Sequence, residues 1–247
     1  MVGTIIRGIT FNIAFFLVNA ILLTTCLPVL LGPDRWVVRY TEFWSASVMV
    51  VLRWIAGVTY EIRGLEHIPT HPCVIACKHQ SAWETIIFHQ ILDHPALVMK
   101  KELMWIPVYG WYTWRLEMVA IDRKAGGSAL RQLCKYVKQR INQGRHVVIF
   151  PEGTRTAPES ADINYQPGIA ALYGMGLSVV PAATNSGVYW GRRQWRKRPG
   201  KIVLEFLPVI EPGLSREAFM TRLQADIENR SRELVQCEKD ALRPSVA

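Results

Sequence analysis

The chain has 247 residues, enough to bury a sizeable core, and half of them are hydrophobic, nine being tryptophan. That richness is unusual for a soluble cytosolic enzyme, and the formal charge of +9 suits a polyanion or an anionic surface. No stretch has the form of a nucleic-acid-binding motif, which excludes nucleic acid as a partner. The five scattered cysteines (Cys26, Cys73, Cys77, Cys134 and Cys237) imply reduced thiols in a cytoplasmic setting.

Residues 8–32 carry no charged side chain, about the length that crosses a hydrocarbon core. The run has no small-residue cleavage signature at its end, which favours a retained anchor over a cleaved signal peptide. Residues 36–58 are also apolar, but Arg39, Glu42 and Arg53 make a full span expensive and predict a helix at the membrane interface. Both flanks of the first segment are mildly basic, so charge does not set its topology.

From Thr59 short strands alternate with helices. Strands are predicted at 59–63, 73–78, 96–100, 118–121, 146–150, 178–183 and 201–207. Between 128 and 142, Leu130, Leu133, Cys134, Val137 and Ile141 form one apolar stripe at helical spacing, closed by Gly144. Ser81-Ala82-Trp83-Glu84 has the form of a capping box that starts a helix at Ser81. Residues 214–238 read as a charged amphipathic helix with no assigned chemistry. The pattern predicts an α/β fold, a mixed, largely parallel sheet flanked by helices and preceded by N-terminal membrane-associated helices. Residues 1–58 would anchor and 59–247 would form the catalytic domain.

Two motifs fall just after predicted strands, where sites collect in such sheets. Lys78-His79-Gln80-Ser81-Ala82-Trp83-Glu84 offers a histidine with a carboxylate five positions on. Phe150-Pro151-Glu152-Gly153-Thr154-Arg155 is a glycine-containing turn carrying an arginine. A base, a carboxylate to orient it and a cation for an anionic substrate are the parts of a group-transfer site. On a regular helix His79 and Glu84 would be about 500° apart, so they meet only if His79 precedes the helix and Glu84 lies in its first turn. Glu84 then either caps that helix, orients the imidazole, or does both. The second motif has its own plain reading, a surface turn closed by a Glu–Arg ion pair. His67, His71, Cys73, Cys77 and His79 crowd together, but Cys73 and Cys77 stand four strand steps apart, the wrong spacing for zinc; no metal site is expected.

Together the motifs resemble the catalytic and phosphate-binding motifs of the glycerolipid acyltransferases, which make phosphatidic acid from lysophosphatidic acid. The family pattern is His, four residues, Asp; here the acid is Glu84. The similarity extends over about 60–210. Lys100-Lys101-Glu102-Leu103, Ile106-Pro107, Gly110 and Ile121-Asp122-Arg123 resemble the second motif. Val179-Val180-Pro181-Ala182-Ala183 resembles the fourth, an apolar strand meeting a Pro turn that lines the cleft. The resemblance implies acyl transfer from acyl-CoA or acyl-carrier protein, as co-substrate without further cofactor, to the 2-hydroxyl of 1-acyl-glycerol-3-phosphate. It makes His79 the general base supported by Glu84, and Arg155 the ligand of the acceptor phosphate. Glu152 would orient that arginine or the acceptor, with Gly153 and Thr154 beside it and Lys100 and Arg123 adding positive charge. The N-terminal helices would dock the enzyme on membrane lipid, with the catalytic domain on the cytoplasmic side of a bacterial inner membrane.

No Gly-x-Ser-x-Gly elbow occurs, so direct transfer without an acyl-enzyme is expected, the oxyanion being held by backbone N–H groups near Gly153. The same site could serve another lysolipid acceptor, or water in a hydrolase; a non-catalytic membrane-docking protein would leave both motifs unexplained. Residues 189–198 interleave aromatics and cations, suiting lipid headgroups, an acidic carrier protein or the phosphates of coenzyme A. A solvated loop is the plain alternative.

Overall fold

The computed structural model describes residues 2–160 and 163–242. Seven strands form one sheet: β1 (Val58–Arg63), β2 (Val74–Cys77), β3 (Ala96–Lys100), β4 (Val119–Ile121), β5 (Val147–Ile149), β6 (Val179–Thr184) and β7 (Gly200–Phe206). Their order is β1-β7-β6-β2-β5-β3-β4. Every neighbouring pair is parallel except β6 and β7, which run antiparallel. The mixed, largely parallel sheet expected from the strand–helix alternation is therefore present.

The sheet is buried on both faces, and strand alternation divides β2 between two cores. Cys73, Ile75 and Cys77 join one apolar cluster, while Val74 and Ala76 join the other. The first face is covered by α1 (Val2–Thr25), α2 (Asp34–Val51), α3 (Trp83–Ile91) and α7 (Ser186–Trp190). Against the second pack α5 (Gly127–Asn142), α6 (Gly168–Tyr173) and α8 (Arg216–Leu242). The short α4 (Tyr109–Arg115) meets α2 in a satellite cluster of Val37, Tyr40, Tyr112 and Leu116.

The uncharged N-terminal run is not one helix. It stops at Thr25 and passes into a 3-10 turn at Leu27–Leu31, because Pro28 has no N–H to continue the ladder. α2 begins at Asp34, ends in a π turn at Leu52–Ala56 and closes at Gly57, whose φ of 69° is left-handed. Phe11 of α1 is fully buried, 4.9 Å edge-on from the Trp190 ring, and Gly8 lets the helix meet the loop at Trp195: a Cβ there would lie 1.8 Å from the Trp195 carbonyl oxygen. The rest of α1 leaves Ile6, Ile9, Ile13, Phe16, Leu17 and Ile21 exposed, and Gly3–Thr25 is long and apolar enough to cross a membrane. Trp36 and Trp54 near α2, and Trp111 and Trp114 on α4, are exposed as well, a concentration of bare aromatic surface that water alone disfavours.

α3 starts at Trp83 rather than at Ser81. Ser81 is held extended by an isolated antiparallel bridge to Gly191. Pro181 lies within β6 rather than in a turn, and all six residues of that strand are buried, so this segment lines no open cleft. Pairing of β6 with β7 begins only at Ala182, which leaves the missing N–H of Pro181 outside that ladder.

Candidate active site

β2, β5, β3 and β4 are consecutive neighbours in the sheet and all parallel, so the segments leaving their carboxyl ends gather along one edge. His79 leaves β2, the 150–155 turn leaves β5, Lys100 ends β3 and Arg123 follows β4. On the other side of β2, β6 delivers Ser186 at the start of α7.

His79 is fixed mainly through its backbone. Its N–H donates to both carboxylate oxygens of Glu152, at 3.3 and 3.2 Å, and its carbonyl accepts from the N–H of Thr156 at 2.8 Å. The imidazole stacks on Phe150 with ring centroids 4.1 Å apart. Nδ1 lies 3.8 Å from Glu84 Oε2, beyond hydrogen-bonding distance, and has no hydrogen-bond partner among the described residues. Glu84 is wholly buried and already occupied: it accepts from Gln80 N–H at 3.0 Å, from Ser81 N–H at 3.0 and 3.1 Å, and from the Ser186 hydroxyl in a short bond. The carboxylate thus holds the Gln80–Ser81 turn that leads into α3, where the Trp83 N–H is taken by the Ser81 hydroxyl, and at the same time faces the imidazole.

Glu152 does not pair with Arg155. Its side chain is buried against Lys78, whose Nζ lies 3.2 Å away, and against the His79 N–H. Burial pushes its pKa up to about 7, with the Lys78 charge and the His79 N–H pulling the other way. The surface turn closed by an ion pair is therefore not what forms here.

Lys100, Arg123, Lys124, Glu152, Gly153 and Thr154 line a cleft of about 330 Å³. Gly153 takes a left-handed φ of 68°, which glycine permits, and a Cβ on it would crowd Gln166 Cγ at 3.1 Å while only touching Arg123 Nη1 at 3.5 Å. Its own N–H is committed to Phe150 O at 2.9 Å and is not free for an oxyanion. The N–H groups of Thr154 and Arg155 have no intramolecular partner among the described residues. Arg155 is exposed, pairs with no carboxylate among the described residues and does not line this cleft. It stands near Tyr109, whose phenol pKa burial raises and the Arg155 charge lowers.

Several participants went unread in the sequence. Lys78, Ser186, Tyr165 and Glu228 have no local pattern that marks them, since their partners lie far along the chain. Glu228 sits on α8, the helix to which no chemistry was assigned, and bonds both Lys78 and Tyr165. Arg192 was visible as part of the basic-aromatic stretch; its guanidinium donates to Thr154 Oγ1 at 3.4 Å. That stretch is divided: Tyr189, Trp190 and Lys197 are buried, while Arg192, Arg193, Trp195, Arg196 and Arg198 face solvent.

A histidine facing a buried carboxylate, its backbone bonded to the Glu152 that lines the cleft, on a mostly parallel sheet, is an arrangement suited to group transfer. An acyltransferase family profile matches residues 59–185, the segment that carries His79, Glu84, Lys100, Arg123 and the 152–155 turn. The 1-acyl-sn-glycerol-3-phosphate acyltransferase of Pseudomonas aeruginosa is 38% identical over 188 residues, covering 76% of this chain and 72% of that protein. The 1-acyl-sn-glycerol-3-phosphate acyltransferase alpha of Mus musculus is 32% identical over 105 residues, 42% of this chain and 37% of its own length. The crystal structure of the 1-acyl-sn-glycerophosphate (LPA) acyltransferase, PlsC, from Thermotoga maritima matches with a TM-score of 0.76. It covers 93% of this chain and 96% of that one at 20% identity, a likeness of fold. The chain belongs to the acyltransferase family and is an acyl-transferring enzyme.

Proposed function

We propose that the protein transfers a fatty acyl group from the thioester of acyl-CoA or acyl-carrier protein to the 2-hydroxyl of 1-acyl-glycerol-3-phosphate, giving phosphatidic acid. The observation that carries this reading is the His79 imidazole with Nδ1 toward Glu84, its backbone N–H clamped to Glu152, which in turn lines the cleft edged by Lys100 and Arg123. The names of the Pseudomonas and mouse relatives supply the acceptor.

An alcohol is a poor nucleophile near neutral pH, so attack benefits from a base that removes its proton as the C–O bond forms. With the Nδ1 proton toward Glu84, Nε2 keeps its lone pair and accepts the proton of the 2-hydroxyl. The alkoxide oxygen bonds the thioester carbonyl carbon, and the charge moves onto the carbonyl oxygen. Collapse then breaks the C–S bond, and the leaving thiolate takes the proton back from the imidazolium. The unpartnered N–H groups of Thr154 and Arg155 suit an anion better than that of Gly153. Arg155 binds the acceptor phosphate, its fork able to hold two oxygens, with Lys100 and Arg123 completing the positive field.

Residues 1–58 act as the anchor and 59–247 as the catalytic part, on the cytoplasmic side of a bacterial inner membrane where acyl thioesters are made. The bare apolar surface of α1 supports membrane association. Purified protein in mixed micelles, given labelled acyl-CoA or acyl-carrier protein and a panel of lysolipids, tests the reading. Acylation of 1-acyl-glycerol-3-phosphate well above neutral lysolipids is expected. A preference for an acceptor without the phosphate, or release of free fatty acid in place of transfer, would overturn it.

A further inference from the structure

Lys78 is one of the largest fully buried side chains of the protein, 1% exposed. Its ammonium lies 3.2 Å from Glu152 Oε1 and 2.7 Å from each oxygen of Glu228, and the Tyr165 hydroxyl donates to Glu228 at 3.0 Å. A lysine this deep must be paired, which accounts for the two carboxylates. Pairing alone does not account for the place: the residue directly before His79, with the Lys78 N–H fixed to Ala182 O at 2.9 Å in the sheet.

Beyond Lys78 the chain leaves the strand. The backbone N–H of His79 has one acceptor, the carboxylate of Glu152, and its carbonyl is held by Thr156. Among the described residues Lys78 is the one cation bonded to Glu152, and Lys78 is itself tied to α8 through Glu228. A continuous buried path therefore runs from the C-terminal helix to the main chain of the histidine.

We propose that Lys78 is a positioning residue for acyl transfer: anchored to α8 by Glu228, it holds the Glu152 carboxylate against the His79 N–H and so sets the height of the imidazole over the cleft. The proposal rests on His79 being the base. The Lys78 charge also favours the ionised form of Glu152, against a burial that leaves its pKa raised to about 7. Tyr165, whose own pKa Glu152 raises, Cys77, the Thr156 hydroxyl at 3.4 Å and, through the shared ammonium, Glu228 also face it.

The test uses the full-length protein in detergent, with kcat, both KM values and the pH profile of kcat. Lys78→Met leaves two carboxylates around an uncharged chain and could fail to fold. The double variant Lys78→Met with Glu228→Gln keeps the cluster at the same net charge, with a single carboxylate, Glu152, in place of two carboxylates and one ammonium. Displacing a catalytic group by about an ångström costs up to about 100-fold, so kcat of the double variant should fall about 10- to 100-fold with both KM values within about twofold. Its acid limb should move to higher pH, because Glu152 without the ammonium protonates more readily. Lys78→Arg, which keeps the charge, should recover part of kcat and return the limb toward its original place. A folded double variant with unchanged kcat and acid limb would overturn the proposal, as would a loss that follows melting temperature alone with no shift of the limb. His79→Ala run in parallel separates the two readings. If it stays active, the base assignment fails; if it is inactive while the Lys78 variants behave as the parent, only the positioning role fails.

Discussion

The Nδ1 atom of His79 stands 3.8 Å from Oε2 of Glu84, and only one of the two is free to close the gap. Glu84 is pinned by two backbone N–H groups and the Ser186 hydroxyl, whereas Nδ1 has no hydrogen bond among the described residues. A rotation of the imidazole by less than an ångström brings it into contact. Catalytic hydrogen bonds are commonly long before substrate binds, so the distance is compatible with a dyad completed by the acceptor. The same bonds that fix the turn before α3 keep the carboxylate still.

Replacing His79 by alanine removes the proposed base. Turnover should fall by roughly 10²–10⁴, the usual scale for a positioned acid–base group. The melting temperature should fall modestly, since alanine gives up the stacking on Phe150 but no side-chain hydrogen bond of the imidazole among the described residues. A near-normal rate in a single-turnover assay would remove His79 from the mechanism.

Glu84→Gln should injure both activity and stability. The amide offers one acceptor oxygen where the carboxylate offers two, so at least one of the Gln80, Ser81 or Ser186 donors is left unsatisfied, costing about 1–3 kcal/mol. Ser186→Ala takes away one of those donors and leaves the carboxylate intact, and should cost stability with a much smaller loss of kcat. Thermal melts and steady-state rates on both variants check this; equal loss of kcat in the two would leave Glu84 only the structural role of holding the turn before α3.

For Arg155, exposed and unpaired, alanine should raise the KM of the lysophosphatidate far more than that of the acyl thioester. Lysine keeps the charge but loses the planar fork, and should remain impaired. Arg123→Ala gives the contrast, because Arg123 packs over Gly153 and lines the cleft. Should the donor KM respond to Arg155 instead, that arginine reads the coenzyme or carrier end, and Arg123 and Lys100 hold the phosphate.

The pH dependence follows from Glu152. Burial raises its pKa to about 7, so below that pH it gains a proton, becomes neutral and loosens its hold on the His79 N–H. Activity should decline as pH falls through about 7, and Glu152→Gln, already neutral, should be slow throughout without that limb. Folding stability carries the opposite sign. A carboxyl whose pKa is higher folded than unfolded favours the fold below its unfolded pKa of about 4.5, and that contribution is lost as pH rises toward about 7. Denaturant melts across this range on the parent and on Glu152→Gln would reveal the difference.

Ile13 and Phe16 lie on the bare side of α1, 63% and 69% exposed. Converting both to Asp should leave the fold intact but release much of the protein from membranes under a carbonate wash, each charge costing about 2.5–3.5 kcal/mol at the centre of a span. Deleting residues 1–58 is a poorer test, because Phe11, Val48, Met49, Leu52 and Ala56 belong to the same core as Ile86 and Ile87. Full retention of the double-Asp variant would show that α1 is not what holds the protein to lipid.

Local signals determined the elements. All seven strands lie within one residue of their predicted bounds, because short apolar runs between turns report burial on both faces directly. The 128–142 helix was legible from its stripe, and His79, Glu84 and the 152–155 turn from their spacing within single loops. Tertiary structure alone decided what each of these touches. Glu152 turned from its sequence neighbour Arg155 to Lys78 and the His79 backbone, since the parallel pairing of β2 with β5 brings those loops together. Lys78 found Glu228 150 residues away, on a helix whose own pattern reports only amphipathicity. Pro181 sits inside a strand because β7 begins pairing one residue later, a matter of register between distant segments. Periodicity and capping act over a few residues and can be read along a chain; the partner of a buried charge is set by which strands pack side by side, and that is decided only when the sheet closes.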